Sequence, residues 1–185
     1  MDIKKNNFMN KEFINIYNNL VNLSRNKNIY YSFTNKDTFS DRLLIFLFHL
    51  AFFFKNYKSK IDQKYIQNFY DYTFRQIELD IREIGYGDQS VNKKMKTYIN
   101  MLYSIIEKIN NWENYDKDDK LKIFNLYIEN KDNNQKIVDY FEKYYIYLTK
   151  ISLNSFIKSV IEHKFWIMAV PKRKTTKSRS GKRRS

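Results

Sequence analysis

Apolar residues along this chain recur every three or four positions, the spacing of helices that set one face against a core. After Asn10, the positions Phe13, Ile16, Tyr17, Leu20 and Leu23 mark a first amphipathic helix, and Asn26 to Lys36 reads as a loop. Thr38 or Ser40 can cap a second helix. It carries the apolar run Leu43 to Phe54 and ends in the basic stretch Lys55 to Lys60, which suits the negative end of a helix. A third starts near Asp62 with the stripe Tyr65, Ile66, Phe69, Phe74, Ile77 and Ile81 and stops at Ile84, where Gly85 offers a left-handed cap.

Ser90 can cap a fourth helix, whose Val91, Met95, Tyr98, Ile99, Leu102, Ile106 and Ile109 hold one face out to Trp112. Asp116 to Asp119 opens a shorter one with Leu121, Phe124 and Ile128. Asn133 and Asn134 punctuate, and Ile137, Val138, Phe141, Tyr144, Tyr145 and Leu148 mark the next. Ser152 caps a last helix with Leu153, Phe156, Ile157, Val160 and Ile161 running to Trp166. No segment alternates as a strand does. The pattern predicts an all-α fold: a single compact bundle of six or seven helices over residues 10–166, within a domain of residues 1–167 followed by a tail of residues 168–185.

Composition agrees, since three glycines and one proline leave few places to turn and 43% hydrophobic residues supply a core. Zero cysteines exclude a disulfide framework and a thiolate zinc site, and fit a reducing, cytoplasmic setting. Met1 to Asn10 is polar and lacks the apolar centre of a secretory signal. The run Leu43 to Phe54 would span about 18 Å as a helix, against ~30 Å for a bilayer core, so a buried helix is expected and no transmembrane span. His49 within that run is then expected to be a satisfied core histidine.

The net charge of +14 is uneven. The tail holds Lys172, Arg173, Lys174, Lys177, Arg179, Lys182, Arg183 and Arg184 and no acid, which leaves +6 on residues 1–167. These eight cations are candidate nucleic-acid contacts, binding phosphate by counterion release. The body is only mildly basic.

Catalytic signatures are missing. His49 and His163 stand far apart without ligand spacing, and there is neither a nucleophile elbow nor a phosphate-cradling loop. Gly85-Tyr-Gly-Asp88 follows a helix, lacks a third glycine, and reads as a tight connection. Glu78 and Asp80 could be assembled on paper into an acid/base pair, yet surface carboxylates are ordinarily just solvated. The expectation is a binding protein: not an enzyme, with no cofactor, no metal and no small-molecule substrate.

The stretch Phe69 to Lys96 resembles the signature of the ubiquinol–cytochrome c chaperone family. That pattern runs aromatic and acidic residues into Leu-Arg-Glu-x-Gly-Val-Gly-Asp, then x-x-Val and a Lys-Lys-x-Lys helix start. Here it is carried by Arg82, Glu83, Gly85, Gly87, Asp88, Val91, Lys93 and Lys94, with Ile81 in place of the leucine and Tyr86 in place of the valine. Leu43 to Phe54 also looks like the family's hydrophobic helix with its histidine. The resemblance implies an all-helical assembly chaperone of the cytochrome bc1 complex, binding newly made cytochrome b or other bc1 assembly intermediates. It further implies a place in the cytoplasm, peripheral at the bacterial inner membrane and near the ribosome.

Within the motif, Asp88 or Ser90 is expected to satisfy the free amides of the next helix. Lys93, Lys94 and Lys96 would sit in that helix's first turns, against its dipole, which makes them candidate partner contacts; a solvated face is the alternative reading. A second resemblance lies in Met168 to Ser185, which is similar to the opening of bacterial large-subunit ribosomal protein thirty-two. It implies a gene junction or read-through more than a designed ribosome anchor, and a disordered arm with little to bury. The rival to a bc1 chaperone is therefore a ribosome- or RNA-associated protein acting through this tail.

Overall fold

The computed structural model describes residues 2–32, 38–128 and 134–158, and every α-helix anticipated from the apolar periodicity is present among them. These are α1 (Asp2–Ser24), α2 (Phe39–Tyr57), α3 (Gln63–Glu83), α4 (Asp88–Lys108), α5 (Lys117–Asn125), α6 (Asn134–Lys150) and α7 (Leu153–Lys158), with no strand among the described residues. Val160, Ile161, Trp166 and the basic tail lie outside the described residues.

Three boundaries differ from the expectation. α1 begins at Asp2, eight positions before the point where its apolar stripe becomes readable, because its opening is polar. Lys27–Ser32, expected as loop, winds into a 3-10 turn. α4 starts at Asp88 with Gly87 as its N-cap residue and no side-chain cap, so neither Ser90 nor Asp88 plays the capping part assigned to it. Asp88 is instead the first residue of the helix, where its charge favours the N-terminal dipole.

Other ends are chemically signed as expected. Thr38 and Asp41 form a reciprocal capping box at α2. Asp62 caps α3 and Asp116 caps α5 through their side chains, and the Ser152 hydroxyl accepts the Ser155 N–H at 3.2 Å before α7. Gly85 closes α3 at φ 99°, the left-handed region.

α2 is the axis of the bundle. Every residue from Ile45 to Phe54 is buried, which fits a helix apolar on all sides. It packs against α1, α4 and α6 by backbone proximity, and against α3 through Phe53 and Phe69, whose ring centroids are 5.4 Å apart. α6 runs parallel to it: His49 meets Tyr140, Asn56 meets the Leu148 carbonyl, and Tyr57 meets the Ile151 carbonyl. The seam is aromatic. Phe52 stacks on Phe141 at 5.4 Å, Phe141 on Phe124 at 5.3 Å, and Trp112 meets Phe52 edge-on at 4.9 Å. Such pairs add about 0.5–1.5 kcal/mol each beyond the burial of their area.

Buried amides close the helix ends that the core covers. Asn56 Nδ2 donates to the Leu148 carbonyl at 2.9 Å and Asn19 Nδ2 to the Phe156 carbonyl at 2.7 Å. The Leu148 carbonyl lies in the last turn of α6, where helix carbonyls lack intrahelical donors.

Candidate functional site

α3 and α4 form an antiparallel hairpin, and the family-like motif is its turn. Gly85 supplies the positive φ, while Gly87 is extended at φ −70° and has open space around it. Arg82 ties the two helices together: its Nε and Nη2 donate to Glu78 Oε1 at 3.0 and 2.9 Å, and its Nη1 pairs with Asp88 across the turn. Hydrogen bonding to Asp88 and then to Glu78 raises the guanidinium's already high pKa. Val91 is fully buried below the turn. Four motif residues, Arg82, Gly85, Asp88 and Val91, thus act in the architecture of the hairpin.

Lys93, Lys94 and Lys96 do not form one patch. Counted from Asp88 they stand beyond the first turn of α4, so the dipole conflict expected of them is weak. At 100° per residue Lys94 points about 160° away from Lys96. Its ammonium lies 4.4 Å from the centroid of the Tyr86 ring, a cation–π contact, whereas Lys93 and Lys96 are exposed on the other side.

Glu83, the remaining charged motif residue, belongs to a different feature that periodicity did not reveal. Between the C-terminal half of α1, the start of α2 and the end of α3 lies an open cleft of about 380 Å³. Val21, Leu43, Phe46 and Ile77 line it from within. Phe39 and Ile84 form its lips, 38% and 51% exposed. Its charged groups are divided, Arg25 and Arg42 on the α1–α2 side, Asp80 and Glu83 on the α3 side. Tyr17 donates its hydroxyl hydrogen to Asp80 Oδ2 at 3.0 Å; burial, and then Asp80 itself, push the phenol far above its ordinary pKa. Glu78 and Asp80 are therefore held by different partners, Arg82 and Tyr17, and do not converge as an acid/base pair.

His49 is a core residue. Its Nδ1 lies 2.8 Å from the Ile45 carbonyl, an acceptor only, so Nδ1 carries the hydrogen and Nε2 accepts from the Tyr140 hydroxyl at 2.8 Å. Burial pushes its pKa down to about 3 and keeps the ring neutral. His163 and the tail cations Lys172 to Arg184 lie outside the described residues.

The model of one protein family, described as ubiquinol-cytochrome C chaperone, matches residues 32–165. The chain belongs to that family. No curated protein and no solved structure matches it. The chaperone match covers α2 through α7 and so includes the motif turn and two walls of the cleft, while the α1 wall with Tyr17, Val21 and Arg25 precedes it.

Proposed function

We propose that this chain is an assembly chaperone of the cytochrome bc1 complex and that it holds newly made cytochrome b until the complex forms. The observation that carries this reading is the chaperone-family match over residues 32–165, which takes in the hydrophobic axis, the Gly85–Gly87 turn and most of the core. The described residues favour binding over bond-making. Glu78 and Asp80 are each engaged by a separate partner, and the histidine on the core axis is neutral and satisfied.

Among the described residues no helix is long and apolar enough to cross a membrane. The chaperone meets its client at the cytoplasmic face of the inner membrane through peripheral contact. Lys93, Lys94 and Lys96 are the proposed contacts to acidic groups of the client or of a partner subunit, Lys93 and Lys96 from one side of α4 and Lys94 from the other.

Removing the protein from its own cell tests the reading. The amount of assembled bc1 complex on a native gel should fall several-fold while transcripts of its subunits stay level, because a chaperone acts on the finished polypeptide. Normal levels of assembled complex would overturn it.

A further inference from the structure

We propose that one end of the bundle, formed by the α2–α3 turn and the end of α6, docks on the anionic lipid surface of the membrane through Lys58, Lys60, Lys64 and Lys150. This rests on the reading that the chaperone meets its client at the inner membrane, and it names the face that does so and the class of lipid it takes.

Four helix ends come together there. α2 finishes at Tyr57 and α6 at Lys150, and the Tyr57 hydroxyl donates to the Ile151 carbonyl at 3.2 Å, so the two stop at the same level. α3 sets out from the same end at Gln63. α4 runs antiparallel to α3 and brings its last turn back there, where Lys55 Nζ donates to the Asn110 carbonyl at 2.6 Å. Helices that stop together leave a blunt end, which suits a flat partner.

The charges of this end are sorted. Lys58, Lys60, Lys64 and Lys150 are all exposed, and the one acid of residues 58–64, Asp62, accepts from the Tyr65 N–H as the cap of α3. None of the four lysines pairs with an acid among the described residues. Lys60 donates to the Asn56 amide oxygen at 2.9 Å and lies over the Tyr57 ring, which holds its charge beside the turn. Beyond Lys55, itself paired with Glu113 at 3.0 Å, residues 107–119 carry Glu107, Glu113, Asp116, Asp118 and Asp119 against Lys108 and Lys117. An anionic surface is attracted by the first half and repelled by the second, so it selects a tilt as well as a contact.

A lipid leaflet fits this face better than a nucleic acid does. The four cations are lysines, compact hydrated charges without the planar fork with which arginine grips phosphate and stacks on bases. The rings beside them offer no stacking platform, since Tyr57 is buried and Tyr65 half-buried. Docking here also orients the motif. α3 is 21 residues long, so the Gly85 turn stands about 30 Å from the lipid, and Lys93 and Lys96 are held on the cytoplasmic side.

The test uses the full chain, whose lack of cysteine lets one introduced thiol carry an environment-sensitive fluorophore. Ser59→Cys places it in the α2–α3 turn and Ser90→Cys at the opposite end, both at exposed positions. Each protein is mixed with vesicles of phosphatidylcholine alone or with an equal share of phosphatidylglycerol, and partition is followed by co-sedimentation.

With phosphatidylglycerol the label at 59 should shift to the blue and the label at 90 should not. Lys58→Gln, Lys60→Gln, Lys64→Gln and Lys150→Gln together should weaken partition by about tenfold or more, since each lysine near an anionic leaflet contributes roughly fivefold. Removing the same charge elsewhere, by Arg75→Gln, Lys108→Gln, Lys117→Gln and Lys122→Gln, should change it by about twofold at most, with helical circular dichroism unchanged in both. A shift at 90 without one at 59 would overturn the face. Equal losses from the two sets would overturn it too, and would assign the binding to net charge. Partition abolished by inorganic phosphate at constant ionic strength would make the lysines a small-anion site and sink the membrane contact, as would a face variant that loses duplex RNA binding but keeps its vesicle binding. In each of these cases bc1 assembly that still falls in cells lacking the chain leaves the chaperone reading standing, and normal assembly in those cells overturns that reading by itself.

Discussion

Along the α2–α6 seam, Phe48, Phe52 and Phe141 are fully buried and each ring lies within 6 Å of another. At the α1–α2–α3 cleft, Phe39 and Ile84 are of the same chemical kind and remain at the surface. Polar groups differ in the same sense. Those of the seam are enclosed in the core, with His49 between Ile45 and Tyr140, while those of the cleft lie at a rim, where Tyr17 holds Asp80. Apolar area buried in the seam stabilises the fold, whereas the partly exposed lips of the cleft add little to it. Stability should therefore respond very differently to substitutions at the two places.

The largest effect is expected in the seam. Phe52→Ala or Phe141→Ala removes a fully buried ring with several aromatic neighbours and should cost about 3–5 kcal/mol in denaturant unfolding. Phe39→Ala at the cleft lip should stay within about 0.5 kcal/mol of the parent. Comparable costs at the two places would erase the distinction.

Acid sharpens it next. The unfolded imidazole protonates near pH 6.5, whereas buried His49 remains neutral down to about 3. Between those values the unfolded chain binds more protons, so the contribution is fully present above pH 6.5 and is lost as pH falls through the window. At pH 5 the loss is about 2 kcal/mol, growing by roughly 1.4 kcal/mol per further unit. The difference in stability between the parent and His49→Gln, followed from pH 7 to 5, should show this slope in the parent alone.

A smaller effect belongs to the hairpin turn. Gly85→Val should cost on the order of 1–2 kcal/mol from backbone conformation, because φ is 99° and there is open space for the side chain. Gly87→Ala, at φ −70° and equally open, should be nearly neutral in thermal melts. Least of all, reversing Lys93, Lys94 and Lys96 to Glu should change stability by less than about 1 kcal/mol, chiefly through the lost contact of Lys94 with Tyr86. Complementation of bc1 assembly should fall nonetheless. Full complementation by the folded triple variant would reduce these lysines to a solvated face.

The seam was legible in the sequence and the cleft was not, for a physical reason. Phe48, Phe52, Phe141 and Tyr144 fall on helical periods, and Thr38, Asp62, Asp116 and Gly85 mark ends with side chains or backbone freedom that only certain residues have. The cleft joins Tyr17 and Val21, Phe39 and Leu43, and Ile77 and Glu83, three stretches whose mutual placement no one-dimensional period encodes. Ile84 reads in the sequence only as the point where α3 stops, and in the fold it is a lip of the cleft. Ser90 looked like a cap, but the chain enters α4 earlier, at Gly87, where an extended backbone suffices without a capping side chain. The first two turns of α1 are illegible because Asp2 to Asn7 carries charge or amide on nearly every position.

The parallel pairing of α2 with α6 has a consequence in time. The hydrogen bonds along it join residues 91 to 95 positions apart, so the most apolar helix of the chain cannot complete its surroundings until α6 has been made. At roughly 5–20 residues per second of synthesis, α2 spends about 5–20 s outside the ribosome before α6 follows. Long-range pairing of this kind also slows folding of the released chain, since distant segments must meet before any of their contacts form. A member of a chaperone family thus passes through an exposed, unfinished state during its own synthesis.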